Sequence, residues 1–187
     1  MSSGNPYLYV VRCNFFGDQS EECDWNEWYN GPKTAEMLGL PHFVGSQRFH
    51  GEALDIDVRY VAVWHLSTPD ALATREYKNQ WGFAHWEQKV GDWSRDLYKV
   101  TDNGPVPGVT DGALLVLRAY SEDDVDRSVL PDAVWMTSIG LDRTWPSMSV
   151  EVAASGEVVS VRDTPLADML VWETAYRPIV GFRRASG

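Results

Sequence analysis

Cysteine is scarce in this sequence: Cys13 and Cys23 are the only two in 187 residues. They form no CxxC pair and no zinc-ligand spacing, so they read as free thiols in a reducing compartment. Basic residues are also in short supply. Sixteen Lys+Arg face 27 Asp+Glu, a net charge of −11, and the deficit runs through both halves of the chain. With no basic stripe, binding of nucleic acid through phosphate neutralisation is excluded, and an anionic membrane surface would repel the chain. No apolar run approaches the ~20 residues that a bilayer span needs. The opening MSSGNPYLYVV lacks the basic start and apolar stretch of a signal peptide, so a cytoplasmic location is expected. GxGxxG, GxxxxGK[ST] and GxSxG are absent, against nucleotide binding and α/β-hydrolase chemistry. So are HxH, HxxxH and HExxH, and no metal site is expected. The acidic run SEDDVD (121–126) lacks the alternating ligands and glycine of a calcium loop.

Aromatics are abundant: nine Trp, eight Tyr and six Phe in a chain of otherwise ordinary soluble composition. Such side chains either fill a core or line a pocket for a flat apolar ligand.

The order of elements is legible. Tyr7–Cys13 reads as a strand, and Asp18 or Ser20 caps a helix carrying Trp25, Trp28 and Tyr29 on one face. Gly31-Pro32 is expected to bend or interrupt it. His42–His50 reads as a strand with Phe43, Gly45, Gln47 and Phe49 on one face. Val58–Leu66 reads as a central strand covered on both sides. Thr68-Pro69-Asp70 starts a second helix, broken near Gly82, and a strand follows around Leu97–Val100. The stretch 101–112, TDNGPVPGVTDG, is a linker. A second round comprises strands at Ala113–Tyr120, Val134–Leu141 and Met148–Ala153, an extension over Glu157–Arg162, and a final strand at Tyr176–Val180. Its expected helices start at Ser121 and over Leu166–Trp172.

This order predicts an α+β chain of two ferredoxin-like β-α-β-β-α-β units, residues 1–103 and 113–187, joined by the linker 104–112. The segments WSRDLYKV (93–100) and WETAYRPI (172–179) support a repeat. Each unit leaves one sheet face bare, so the two are expected to pack sheet to sheet as a pseudo-dimeric α+β barrel. The chain would be a monomer of that kind, or a homodimer of it. The second unit reads as a degenerate scaffold.

The stretch WYNGPKTAEMLGLPHFVGSQRF (28–49), with the strand RYVAVWHL and the following TPDALATREY, resembles the EthD-like branch of the dimeric α+β barrel superfamily. The resemblance covers residues 7–100 well and the remainder loosely. The family's usual His falls at Lys33, its acidic residue after Trp-Tyr at Asn30, and the Gly of its Pro-Gly-Phe at His42. It implies a fold with a hydrophobic pocket, and reactions ranging over cofactor-free oxygenases, isomerases, cyclases, lyases and haem enzymes.

Histidine is the natural base near neutral pH. His42 and His65 sit at strand ends and His85 in the aromatic segment WGFAHW, each alternatively an exposed or structural histidine. Tyr7, Tyr9, Tyr29, Tyr60 and Tyr77 can donate to a developing oxyanion. Arg12, Arg48 and Arg59 lie within strands, where a guanidinium must be paired or bind an anion. The expected catalytic set is His42, His65, His85, Tyr29 and Arg48, and the expected binding set is Trp28, Trp64, Trp81, Trp86, Tyr60 and Lys33. The leading expectation is a cofactor-independent enzyme of lyase, isomerase or cyclase type acting on a small aromatic or polyketide-like molecule. Its pocket would lie between the sheet and helices of the first unit. The alternatives are a cofactor-free monooxygenase and a non-catalytic small-molecule-binding protein. No cofactor is expected, although a haem held by one axial histidine stays open.

Overall fold

The computed structural model describes residues 6–51, 57–154 and 156–186. Strand β1 (Tyr7–Phe15) leads into helix α1 (Gln19–Trp28), which Asp18 and Glu21 start with a reciprocal capping box. Gly31-Pro32 does not end the helical path. Tyr29–Lys33 forms a widened π turn, which takes up the proline that an α turn would reject, and α2 (Thr34–Leu38) continues from it. Strands β2 (Phe43–Gly51) and β3 (Tyr60–Leu66) follow. The second helical segment is divided: Thr68 caps a short 3-10 turn at Pro69–Ala73, then an extended Thr74 caps α3 (Arg75–Gln80). A further 3-10 turn, Ala84–Lys89, precedes the long strand β4 (Val90–Asp102).

The rest is almost all strand: β5 (Ala113–Tyr120), β6 (Val134–Leu141), β7 (Ser147–Ala154), β8 (Leu170–Pro178) and the two-residue β9 (Arg183–Arg184). The helices expected from Ser121 and over Leu166–Trp172 do not form. Residues 121–124 are exposed and only Val125 of that run is buried, so no apolar stripe exists to dock a helix. A 3-10 turn at Arg127–Val129 is all that remains there. Residues 157–160 are irregular rather than extended, and the last long strand starts at Leu170 instead of Tyr176.

Strand order is β3-β1-β4-β6-β7-β5-β8-β2, with β2 pairing back onto β3, so an antiparallel barrel of eight strands closes on itself and β9 hangs on β2. The quartets β2-β3-β1-β4 and β6-β7-β5-β8 have the same internal order. Two separate sheets stacked face to face are not what forms. The quartets share hydrogen bonds at both seams, β4 with β6 and β8 with β2, giving one continuous closed sheet. Closure removes the bare sheet faces and free edges together.

The barrel interior is filled by Leu8, Val10, Val61, Val63, Leu115, Leu117, Met136, Met148 and Val150, among others. Among the described residues, no tryptophan of the first quartet or its helices belongs to this interior cluster. Trp64 lies on the outer face of the first quartet with Tyr9, Val11, Phe43 and Tyr60, and α1 and its π turn pack Trp25 and Tyr29 onto that face. One detail of β2 reverses the expected alternation. A bulge at Val44 puts Phe43 on the helix-covered face with Ser46 and Arg48, while Gln47 and Phe49 point inward. The segments 93–100 and 172–179 do fall on the fourth strand of each quartet. Their residues are not equivalent, since Trp172 packs with the interior cluster and Trp93 is largely exposed on the other face.

No helix among the described residues is long and apolar enough to cross a membrane.

Candidate functional site

The outer face of β1 and β3 presents Tyr9, Val11 and Trp64 to the helices that cross it. α1 and its π turn bring Tyr29 and Lys33 over this face, α2 adds Met37, and the Trp81–Phe83 loop closes the side. These residues line one pocket. Its volume is about 20 Å³, room for a single water.

The polar groups around it are few and buried. Lys33 is 6 % exposed, and its Nζ donates to the Gln80 carbonyl and to Glu36 Oε2 at 3.3 Å. Burial draws the ammonium below the usual lysine value, with Glu36 opposing. Tyr9 Oη accepts a hydrogen bond from Tyr77 Oη at 2.9 Å. Burial raises both phenols. Tyr29 is raised by burial too, although the Arg48 charge opposes this.

Behind Tyr29 lies Arg48, 2 % exposed. Its guanidinium carbon sits 3.9 Å from the Tyr29 ring centre, 4.8 Å from Trp25 and 5.7 Å from Tyr60. One hydrogen bond to Asn30 Oδ1, at 2.5 Å, holds it, and Nη2 has no partner. Desolvation lowers its pKa. Tyr60 donates to Glu22 Oε1 at 2.7 Å at the far side of this box.

Of the residues expected from sequence, Tyr29, Lys33, Trp64 and Trp81 line the pocket, and Trp28 and Trp86 pack against the same cluster. Arg48 and Tyr60 back it. The three histidines do not converge there. His42 is exposed at a left-handed turn (φ 72°), with Nδ1 3.4 Å from Ser67 Oγ. His85 is exposed between Trp28 and Trp86. His65 points into the barrel against Phe182, ring centres 5.1 Å apart, and burial lowers its pKa to about 4. Within the described residues, no cluster of His, Cys, Asp and Glu could hold a metal ion. Met37 and Phe83 were missed because nothing local sets them apart from core residues. The Tyr9–Tyr77 bond links residues 68 positions apart, a pairing that only the docking of α3 on β1 defines.

No protein-family model matches the sequence, and no curated protein is recognisably similar to it in sequence. Solved structures do match, over nearly the whole chain. An anthrone oxidase-like protein superposes with a TM-score of 0.63 at 10 % identity, covering 100 % of this chain and 97 % of its own. A protein from Fusobacterium nucleatum, provisionally named a monooxygenase, gives 0.56 at 11 % identity, with 99 % and 97 % coverage. A chlorite dismutase variant from Candidatus Nitrospira defluvii gives 0.50 at 10 % identity, with 96 % and 92 % coverage. The fold is that of the dimeric α+β barrels. In this chain the barrel closes within a single polypeptide, and at such identities the likeness fixes architecture only.

Proposed function

We propose that this chain is a cofactor-independent oxygenase acting on a small aromatic ketone or phenol of anthrone type, bound between the first quartet and its helices. The observation that carries the reading is Lys33. It occupies the position where the EthD-like pattern has its histidine, and it is an amine buried in an aromatic pocket that Tyr9 and Tyr29 also line. Support also comes from the names of the similar structures, an anthrone oxidase-like protein and a provisionally named monooxygenase. We read the chain as two ferredoxin-like units, residues 1–103 and 113–187, working as a monomer.

In this reading Lys33, as the free amine, removes a proton from the ring C–H conjugated with, and across the ring from, the aromatic carbonyl or phenol. Tyr9 donates to the enolate oxygen, where charge develops. The carbanion adds dioxygen, the resulting peroxide takes up the proton, and loss of water leaves a new carbonyl. One O₂ enters and one water leaves, so dioxygen is the oxidant and no external reductant is needed. The substrate enters by displacing the Trp81–Phe83 wall, where Gly82 has φ 99° and no neighbouring atom within 4 Å of a Cβ position. The test is oxygen uptake with an anthrone or naphthol panel without added flavin or metal. Expected is one O₂ per product, falling by about 10²- to 10⁴-fold in Lys33→Met, the range of general acid–base contributions. Unchanged turnover in that variant would refute the mechanism.

The pocket volume of about 20 Å³ favours a second reading, a non-catalytic binding protein that opens for its ligand. Saturable substrate binding with no oxygen uptake would select it.

A further inference from the structure

The two ends of the barrel are finished differently. At one end the segment between β4 and β5 folds inward, burying Val106 and Val109 in the interior cluster. Gln47 clamps it there: its Nε2 donates to the Val109 and Val180 carbonyls at 2.7 and 3.0 Å, and its Oε1 accepts from Val109 N at 2.8 Å. Both polar ends of the Gln47 amide are satisfied.

At the opposite end β1 and β6 finish and β4, β7 and β8 begin. Register puts Arg12, Asp96, Tyr98, Ser138 and Trp172 on inward-facing positions here, with Trp145 just ahead of β7. Arg12 is 7 % exposed, and its guanidinium carbon lies 3.9 Å from the centre of the Trp172 ring. Trp145 meets Trp172 edge-on at 6.5 Å. Arg12 donates to the Tyr176 phenol oxygen and carries its charge near Asp96, and other acceptors nearby are engaged. Asp96 Oδ1 accepts from Thr144 N at 2.6 Å, and the Trp145 and Val58 carbonyls take the phenols of Tyr98 and Tyr176. Four buried atoms at this end have no partner: Arg12 Nε, Ser138 Oγ, Trp145 Nε1 and Trp172 Nε1. All four can donate, and Arg12 forms no ion pair within the described residues.

The molecule contains its own contrast. Arg118, fully buried on the outer face of β5, donates to Glu151, to Glu173 Oε2 at 2.5 Å and to the Val159 carbonyl at 2.7 Å. A buried guanidinium with two carboxylates is complete. Arg12, stacked on an indole, has no carboxylate in ion-pair contact among the described residues and leaves its Nε unmet beside three idle neutral donors, which costs stability.

We propose that this end of the barrel binds a small carboxylate monoanion, with Arg12 supplying the charge and Trp145, Trp172 and Ser138 the neutral donors. A carboxylate offers about four lone-pair sites, matching the donors at hand. One cation beside Asp96, in a chain of net charge −11, selects a single negative charge over two. The site is separate from the pocket under the helices and does not depend on its function.

Sodium acetate is titrated into the protein against sodium chloride at matched ionic strength, following the indole N–H signals in proton–nitrogen correlation spectra. Trp145→Phe and Trp172→Phe assign the two signals. Acetate should shift both saturably and chloride should not, and affinity should fall about tenfold or more in Arg12→Met. Absence of a shift, the same shift with chloride, or unchanged affinity in Arg12→Met overturns the proposal. Should Arg12→Met fail to fold, Trp172→Phe decides. It keeps an aromatic face under Arg12 but removes one donor, so acetate binding must weaken several-fold.

Discussion

The phenol of Tyr77 donates to that of Tyr9 across 2.9 Å, their rings set edge to face with planes 88° apart. Tyr9 stands on β1 and Tyr77 on α3, so this bond ties the sheet to the helix that flanks the pocket. Because the pair is buried, either hydroxyl left alone carries its desolvation penalty unrelieved. Tyr9→Phe and Tyr77→Phe should each cost about 1 kcal/mol in urea unfolding, a typical net value for one hydrogen bond. The double variant should cost clearly less than the two added together. Strict additivity would mean that the bond does not form in solution.

His65 makes stability depend on pH. Its folded pKa of about 4 lies below the ordinary 6.5, because burial disfavours the imidazolium. Between these values the unfolded chain binds the proton and the folded chain does not, so stability falls as pH drops from 6.5 to 4. At 1.36 kcal/mol per unit the loss is about 3 kcal/mol. Unfolding curves at pH 7 and pH 4 should show this extra loss in the native protein and not in His65→Gln. Equal acid sensitivity in both proteins would remove His65 as the cause.

Lys33 behaves oppositely to a paired surface lysine. Its pKa is drawn down by burial, so the folded chain carries a penalty at neutral pH. That penalty lifts as pH rises from the folded value towards 10.5. Lys33→Met should therefore be as stable as the native protein or more so at pH 7, with the difference shrinking at pH 10, while oxygen uptake collapses. Loss of stability at pH 7 would show that the bonds to Glu36 and Gln80 outweigh desolvation.

Arg48 and Arg118 should answer differently to the loss of charge. Arg48→Met removes a guanidinium held by one amide and three rings, and exchanging such a charge for an apolar group of similar size is often neutral or stabilising by about 1–4 kcal/mol. Arg118→Met strands Glu151 and Glu173 and should destabilise by about 3–5 kcal/mol. Thermal unfolding of the two variants side by side tests the ordering.

What could be read in the sequence follows from range. Strands β5 and β6 appear with their observed limits, because alternation and turn residues act locally. Tyr29 and Lys33 belong to the contiguous Trp28–Phe49 pattern, whereas the pocket's indoles, Trp64 and Trp81, come from β3 and the loop after α3. The π turn at Pro32 and the bulge at Val44 were not legible. Each is a one-residue adjustment forced by tertiary packing, and the bulge moved Phe43 to the opposite face. The second quartet's helices were expected from capping residues alone, without an apolar stripe to hold them down. The histidines were chosen for chemistry, and their separation depends on which strand face each one takes.

Both outer strands of each quartet are consumed in sealing the cylinder. A chain divided within residues 103–112 would yield two pieces, each with a pair of unsatisfied borders that fit the other piece and very nearly fit a twin of itself. The covalent connector thus dictates who partners whom: it makes the unlike pairing unimolecular, and the helix-rich piece meets the helix-poor one before it meets its own kind.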